Sequence, residues 1–172
     1  MNLKTAVPEA ERRIRPYVRE TPVEHSIAMS TMGGGCVWLK LENLQVTGSF
    51  KMSGAMHKLL SMTPEEADRD IVTASSGNHG AAVALGLKQL DRRGLIFVPE
   101  NASPAKVANI RGYGAEVRTF SDDSGVTEVH ARQYADDHGM SYVSPYNDPI
   151  IVAGQGTTAK EMLEDAPHLD AI

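Results

Sequence analysis

Ile71-Val72-Thr73-Ala74-Ser75-Ser76-Gly77-Asn78-His79-Gly80-Ala81-Ala82-Val83-Ala84-Leu85 runs from β-branched residues through a polar, glycine-bearing turn into helix formers. That is the pattern of a strand, a tight turn and a helix. A helix entered in this way offers the unpaired N–H groups of its first turn to an anion. A lone helix cap would account for one Ser or Asn, but it needs only one side-chain acceptor and leaves most of Ser75–Gly80 unexplained.

Upstream, Thr47-Gly48-Ser49-Phe50-Lys51 places a single lysine at the mouth of a helix predicted from Ser49 to about Met62, capped by Ser49 and carrying Phe50, Ala55, Met56, Leu59 and Leu60. Helix dipoles and the flanking Phe50 disfavour the ammonium form of Lys51 and favour a nucleophilic amine. Taken alone, a lysine in a first helical turn is usually a solvated charge. A reactive lysine facing an anion cradle is what a Schiff-base enzyme acting on amino acids needs.

Outward from these stretches the chain alternates. Strands are predicted at Leu95–Val98, Glu116–Phe120 and Tyr142–Ser144, and helices at Asn78–Leu90, Pro104–Arg111 and Val126–Asp137. This alternation implies right-handed crossovers and a doubly wound parallel sheet covered on both sides, from about Lys51 to Pro145. Ligands of such sheets bind beyond the carboxyl ends of the strands, where Ser75–Gly80 would lie. Before this unit, a helix is expected from about Thr5 to Arg19, then an extended Thr21-Pro22-Val23, a Gly33-Gly34-Gly35 turn and a strand at Val37–Leu41. After it come a strand-like Ile150-Ile151-Val152, a glycine-punctuated break, a helix from Thr157 to about Glu164, and Leu169–Ile172 as the opening of another strand.

With 172 residues, 41% apolar and 23% charged, the composition is that of an ordinary globular protein with one core. A net charge of −5 with no Lys/Arg cluster argues against a nucleic-acid partner and leaves a small molecule as the expected ligand. The lone Cys36 cannot form an internal disulfide, and no Cys/His cluster has zinc spacing, so no metal is expected. Residues 1–20 lack an apolar core and no long apolar run occurs, so neither a signal peptide nor a membrane span is expected, and the cytoplasm is the default location.

Together, Lys40-Leu41-Glu42-Asn43-Leu44-Gln45 through Lys51, Ser75–Gly80, Gly112-Tyr113-Gly114-Ala115-Glu116-Val117, Pro145-Tyr146 and Ala153-Gly154-Gln155-Gly156-Thr157 resemble the fold-type II pyridoxal-phosphate enzymes, in particular the serine/threonine dehydratase and serine racemase branch. The resemblance implies that Lys51 is the Schiff-base lysine for pyridoxal 5′-phosphate and that Phe50 and Asn78 also contact the cofactor. It further implies that Ser75, Ser76, Gly77, Asn78 and His79 grip the substrate carboxylate, with Gln155 and Thr157 near the approach. Capping of a helix explains Thr157 equally well, and His79 is read as positioning the turn. His25, His57, His130, His138 and His168 are expected at the surface.

The implied function is deamination of L-serine, L-threonine or a related β-hydroxy amino acid such as 3-hydroxyaspartate to a 2-oxo acid and ammonia. Ser76 stands where racemases carry the second catalytic acid/base, which keeps serine racemase open; a non-catalytic amino-acid-binding module is the reading from another class. The resemblance divides the chain into residues 1–50 of a large domain, a small α/β domain at 51–146 and a return into the large domain at 147–172. It also implies that the family's glycine-rich phosphate loop and the partner of the pyridine nitrogen lie beyond Ile172, and that the full-length form is a homo-oligomer. Where the family commonly has Lys-x-Arg-Gly-Ala, this chain has Lys51-Met52-Ser53-Gly54-Ala55.

Overall fold

The computed structural model describes residues 1–172. In chain order the elements are α1 (Leu3–Ile14), β1 (Val23–His25), α2 (Ile27–Gly33), β2 (Trp38–Lys40), α3 (Lys51–Leu60), α4 (Pro64–Ala67), β3 (Ile71–Ala74), α5 (Asn78–Gln89), β4 (Gly94–Val98), α6 (Pro104–Gly112), β5 (Glu116–Thr119), α7 (Ser124–Asp137), β6 (Ser141–Tyr142) and α8 (Pro149–Asp165). Short polar side chains start many of the helices: Asn2 caps α1, Ser26 caps α2, Asp123 caps α7 and Asp148 caps α8. A reciprocal Thr63–Glu66 capping box starts α4.

Strands β3 to β6 form one parallel sheet in the order β5-β4-β3-β6. Side chains alternate across it, and the central strands β3 and β4 are buried on both sides. Ile96 and Val98 pack with Ala81 and Ala84 of α5 and Ile110 of α6, whereas Val72, Ala74, Leu95 and Phe97 pack with Ala131 and Ala135 of α7. Such strands must be apolar on both sides, which is why Ile71–Ala74 and Leu95–Val98 read as continuous apolar runs. The largest cluster joins Ile14 of α1, Met52, Met56 and Leu59 of α3, Ile71 of β3, Val83 and Leu87 of α5, and Ile151 of α8. The expected doubly wound α/β layer is therefore present, with α1, α8 and the two-stranded β1–β2 ribbon outside its sheet.

Several expectations are corrected. Ile150-Ile151-Val152 is not a strand, nor is Thr157 a helix start: one helix, α8, runs through both, capped by Asp148 with Pro149 in its first turn. Its glycines serve close packing, since a Cβ on Gly154 would stand 2.7 Å from the Ser53 carbonyl oxygen and 2.8 Å from Gly54 Cα. Thr157 is buried and its hydroxyl donates to the Gly154 carbonyl at 2.8 Å. Leu169–Ile172 adopts no strand. Helix α1 stops at Ile14, before Pro16, because a proline N lacks the hydrogen a helix needs. Gly33-Gly34-Gly35 ends a helix that the reading missed, with Gly34 at φ +68° taking the left-handed C-cap. Phe50, not Ser49, occupies the N-cap of α3, although Ser49 Oγ still accepts from the Lys51 amide at 3.3 Å. His57 is buried rather than superficial: its Nδ1 bonds the Ile150 carbonyl at 2.9 Å, joining α3 to α8.

Candidate functional site

The strand order reverses between β3 and β6, since the chain adds β4 and β5 on one flank of β3 and then crosses to place β6 on the other. At such a switch point the loops leaving two neighbouring strands diverge and open a crevice beyond their carboxyl ends. Here those loops are Ser75–Gly77 after β3 and Val143–Asp148 after β6. The crevice, about 270 Å³, is lined by Ser75, Ser76, Pro99, Thr127, Glu128, Pro145 and Tyr146 among others. A larger groove of about 710 Å³ opens at the opposite ends of the strands, around Asp70, Arg92, Gly94, Gly112 and Glu116, and contains no catalytic or substrate-binding residue of the sequence reading.

The turn is tight because Gly80 permits it: a Cβ there would stand 2.7 Å from the Ser75 carbonyl oxygen and 3.0 Å from Ile110 Cδ1. Ser75 Oγ accepts from the Gly77 amide at 3.2 Å, and Ala81 is the first residue of α5 to donate back, to the Gly77 carbonyl at 3.1 Å. The amides of Asn78, His79 and Gly80 are left without an acceptor in the chain, directed as a helix N-terminus directs them. Ser76 and the exposed Asn78 make no side-chain hydrogen bond.

Lys51, the first residue of α3, sends Nζ to the Pro145 carbonyl at 3.1 Å and so to the rim of the same crevice. The amine lies 5.2 Å from the Phe50 ring centroid. Burial lowers its pKa from the ordinary lysine value. His79 lies beneath the turn, only 3% exposed, with both ring nitrogens unpartnered. The nearby Val143 carbonyl already accepts from Thr73 Oγ1 at 2.7 Å. Burial, and then the positive charge of Lys51, push the His79 pKa down to about 4, so the imidazole is neutral.

Of the expected site residues, Ser75 and Ser76 line the crevice and Lys51 reaches its rim through the Pro145 carbonyl, while Gly77 and Asn78 continue the turn and His79 lies buried beneath it. Gln155 is placed differently: it sits on α8 against α3, where a Cβ on Gly54 would come within 2.8 Å of its Cγ, and its buried Nε2 has no partner. Sequence reasoning missed three neighbours. Glu128 of α7 and Tyr146 form a wall of the crevice, Tyr146 Oη donating to Glu128 Oε2 at 2.5 Å. The Lys106 amine of α6 is the one heavy atom a Cβ on Gly77 would approach, at 3.9 Å. None stands in the Ser75–Gly80 motif, although Pro145-Tyr146 carried a signal.

Residues 14–172 match the family described as pyridoxal-phosphate dependent enzyme, and the chain belongs to it. It is 39% identical over 164 residues to an L-threo-3-hydroxyaspartate ammonia-lyase of Saccharomyces cerevisiae, covering 95% of this chain and 50% of that protein. It is also 39% identical over 167 residues to a catabolic L-threonine dehydratase of Staphylococcus aureus, covering 96% of this chain and 48% of that one. Among solved structures, maize serine racemase superposes with a TM-score of 0.90 at 34% identity, covering 96% of this chain and 50% of the other. The fold is that of the fold-type II enzymes, and the chain spans about half the length of these relatives.

The residues present suit the family's cofactor. An aldehyde requires an amine that is not held as a cation, which the burial of Lys51 favours. A polar ring system requires uncommitted hydrogen-bonding groups, which the free Asn78 amide and, beneath it, the unpartnered N–H and ring nitrogen of neutral His79 offer.

Proposed function

We propose that this chain carries the lysine-bearing half of the active site of a pyridoxal-phosphate-dependent ammonia-lyase acting on small β-hydroxy amino acids. The observation that carries this reading is the Lys51 amine, bonded to the Pro145 carbonyl at 3.1 Å across a crevice from a turn with three unpartnered amides. When bound, the cofactor supplies an electron sink for the charge that develops at the substrate Cα.

The chain's own groups do the rest. The amides of Asn78, His79 and Gly80 hold the substrate α-carboxylate, helped by the helix N-terminus and the nearby Lys106 cation. That grip fixes which bond to Cα lies in line for cleavage. Lys51 Nζ would hold the cofactor by its aldehyde carbon, and the same amine is the base that would take the proton from Cα. Neutral His79 keeps a second positive charge away from the amine. Residues 51–146 act as the small domain, with 1–50 and 147–172 belonging to a second, larger one. We assign the protein to the cytoplasm.

Reductive trapping tests the reading. After incubation with pyridoxal phosphate and borohydride at neutral pH, mass spectrometry is expected to find the adduct on Lys51 ahead of the chain's other lysines. Adducts spread evenly over the lysines, or unchanged in total for Lys51→Ala, would refute it.

Ser76 supports a second reading, racemisation, because its hydroxyl lines the crevice and is bound to nothing in the chain. Formation of D-serine that disappears in Ser76→Ala would favour it; absence of D-serine alongside 2-oxo acid formation leaves the lyase.

A further inference from the structure

We propose that the Glu128 carboxylate, with Tyr146 donating to it, forms the side-chain end of the substrate pocket and that its charge selects amino acids with an uncharged, hydrogen-bonding β-substituent over those with a second carboxylate. This rests on the function proposed above and narrows its substrate class.

The crevice is lined by Ser75 and Ser76 of the turn, by Thr127 and Glu128 of α7, and by Pro145 and Tyr146 after β6. An α-carboxylate on the turn amides, with Cα within reach of Lys51 Nζ, leaves the side chain to extend toward Glu128. That carboxylate is firmly held: Oε2 accepts from Tyr146 Oη at 2.5 Å and Oε1 from Arg132 Nη2 at 2.8 Å.

The charge of Arg132 is turned elsewhere. Its guanidinium lies over the Tyr142 ring, 4.4 Å from the centroid, with Nη2 3.4 Å from Ser144 Oγ, and Arg132 does not line the crevice. The Glu128 side chain is only 17% exposed. Burial pushes its pKa up, but the hydrogen bonds from Tyr146 and Arg132 outweigh this and hold it below the usual carboxylate range. Besides these two partners, the titratable groups facing it are neutral His79 and the Tyr142 phenol.

A second substrate carboxylate would therefore approach a fixed negative charge in a part-buried site, where repulsion is poorly screened. A β-hydroxyl instead meets two acceptor oxygens and a phenol. Two relatives at 39% identity have names that divide on this point, one an ammonia-lyase of a dicarboxylic amino acid and the other a dehydratase of threonine. Glu128 places this chain with the neutral side chains.

The test is a titration of the ¹⁵N-labelled chain, with pyridoxal phosphate present, by L-serine and by unreactive L-aspartate, following the Gly77 and Gly80 amides. Serine is expected to bind at least about tenfold more tightly than aspartate, a factor a single close charge can supply. Glu128→Gln, which keeps the shape of the wall, is expected to bring the ratio to within about threefold. Tyr146→Phe alters an exposed residue and uncovers Oε2, so the preference is expected to hold or grow. Aspartate binding as tightly as serine, a ratio unmoved by Glu128→Gln, or a preference lost in Tyr146→Phe overturns the inference while leaving the lyase reading intact. If neither amino acid shifts either amide, the parent reading fails and this one falls with it.

Discussion

His79 shows how one side chain can be read correctly in place and incompletely in character. Its position at the start of a helix implies a role in the turn, yet the ring lies beneath the turn with neither nitrogen bonded. Leaving such a group without partners costs free energy, and ionising it there would cost more. Its folded pKa, about 4, lies below the ordinary 6.5, so the native state holds it neutral while the unfolded chain protonates it below pH 6.5. The stability this contributes is present above pH 6.5 and is lost as pH falls toward 4. At pH 5 the loss amounts to about 2 kcal/mol. Urea unfolding of wild type between pH 7.5 and pH 5 should therefore lose about that much more than His79→Gln does. Equal losses would mean that the ring is protonated in the native state or solvated there.

At the scale of elements, α8 is where sequence and structure part. Three β-branched residues at Ile150–Val152 favour a strand on local propensity, and Gly154 and Gly156 suggest a break. Tertiary contact overrides both. The glycines bring α8 against α3 and α1: a Cβ on Gly154 would strike Ser53, Gly54 and His57, and one on Gly156 would stand 2.8 Å from Val7 Cγ2. Gly154→Ala, which on an exposed helix would stabilise, is expected to cost about 1–3 kcal/mol here, as measured by chemical denaturation, because the obstacle is backbone. Strands β3 and β4 were legible for the opposite reason, since burial on both sides leaves an apolar run that nothing distant can disguise. The turn at Ser75–Gly80 was legible because its geometry is local. Glu128 was not, because only the crossover that sets β6 beside β3 brings α7 to that rim.

Across the whole molecule, one buried carboxylate ties distant parts of the chain. Glu161 of α8, 5% exposed, accepts from Arg15 at 2.7 Å and from Lys40 of β2 at 2.5 Å, and the Lys40 side chain is itself only 4% exposed. Replacing Glu161 by Ala strands the Lys40 ammonium in the interior. A loss of about 3–5 kcal/mol is expected in denaturant melts, whereas replacing both members with apolar residues should cost far less. Not every surface is satisfied within the chain: Ile27 and Met32 of α2 stand 75% and 87% exposed.

The reversal of strand order has a last consequence. Helix α5 covers one side of the sheet and α7 the other, yet the crevice is bounded by the turn that leads into the first and by the opening turns of the second. A molecule seated there would clasp two layers that lie on opposite sides of the strands. Its arrival should therefore be felt as slowed amide hydrogen exchange in both helices together.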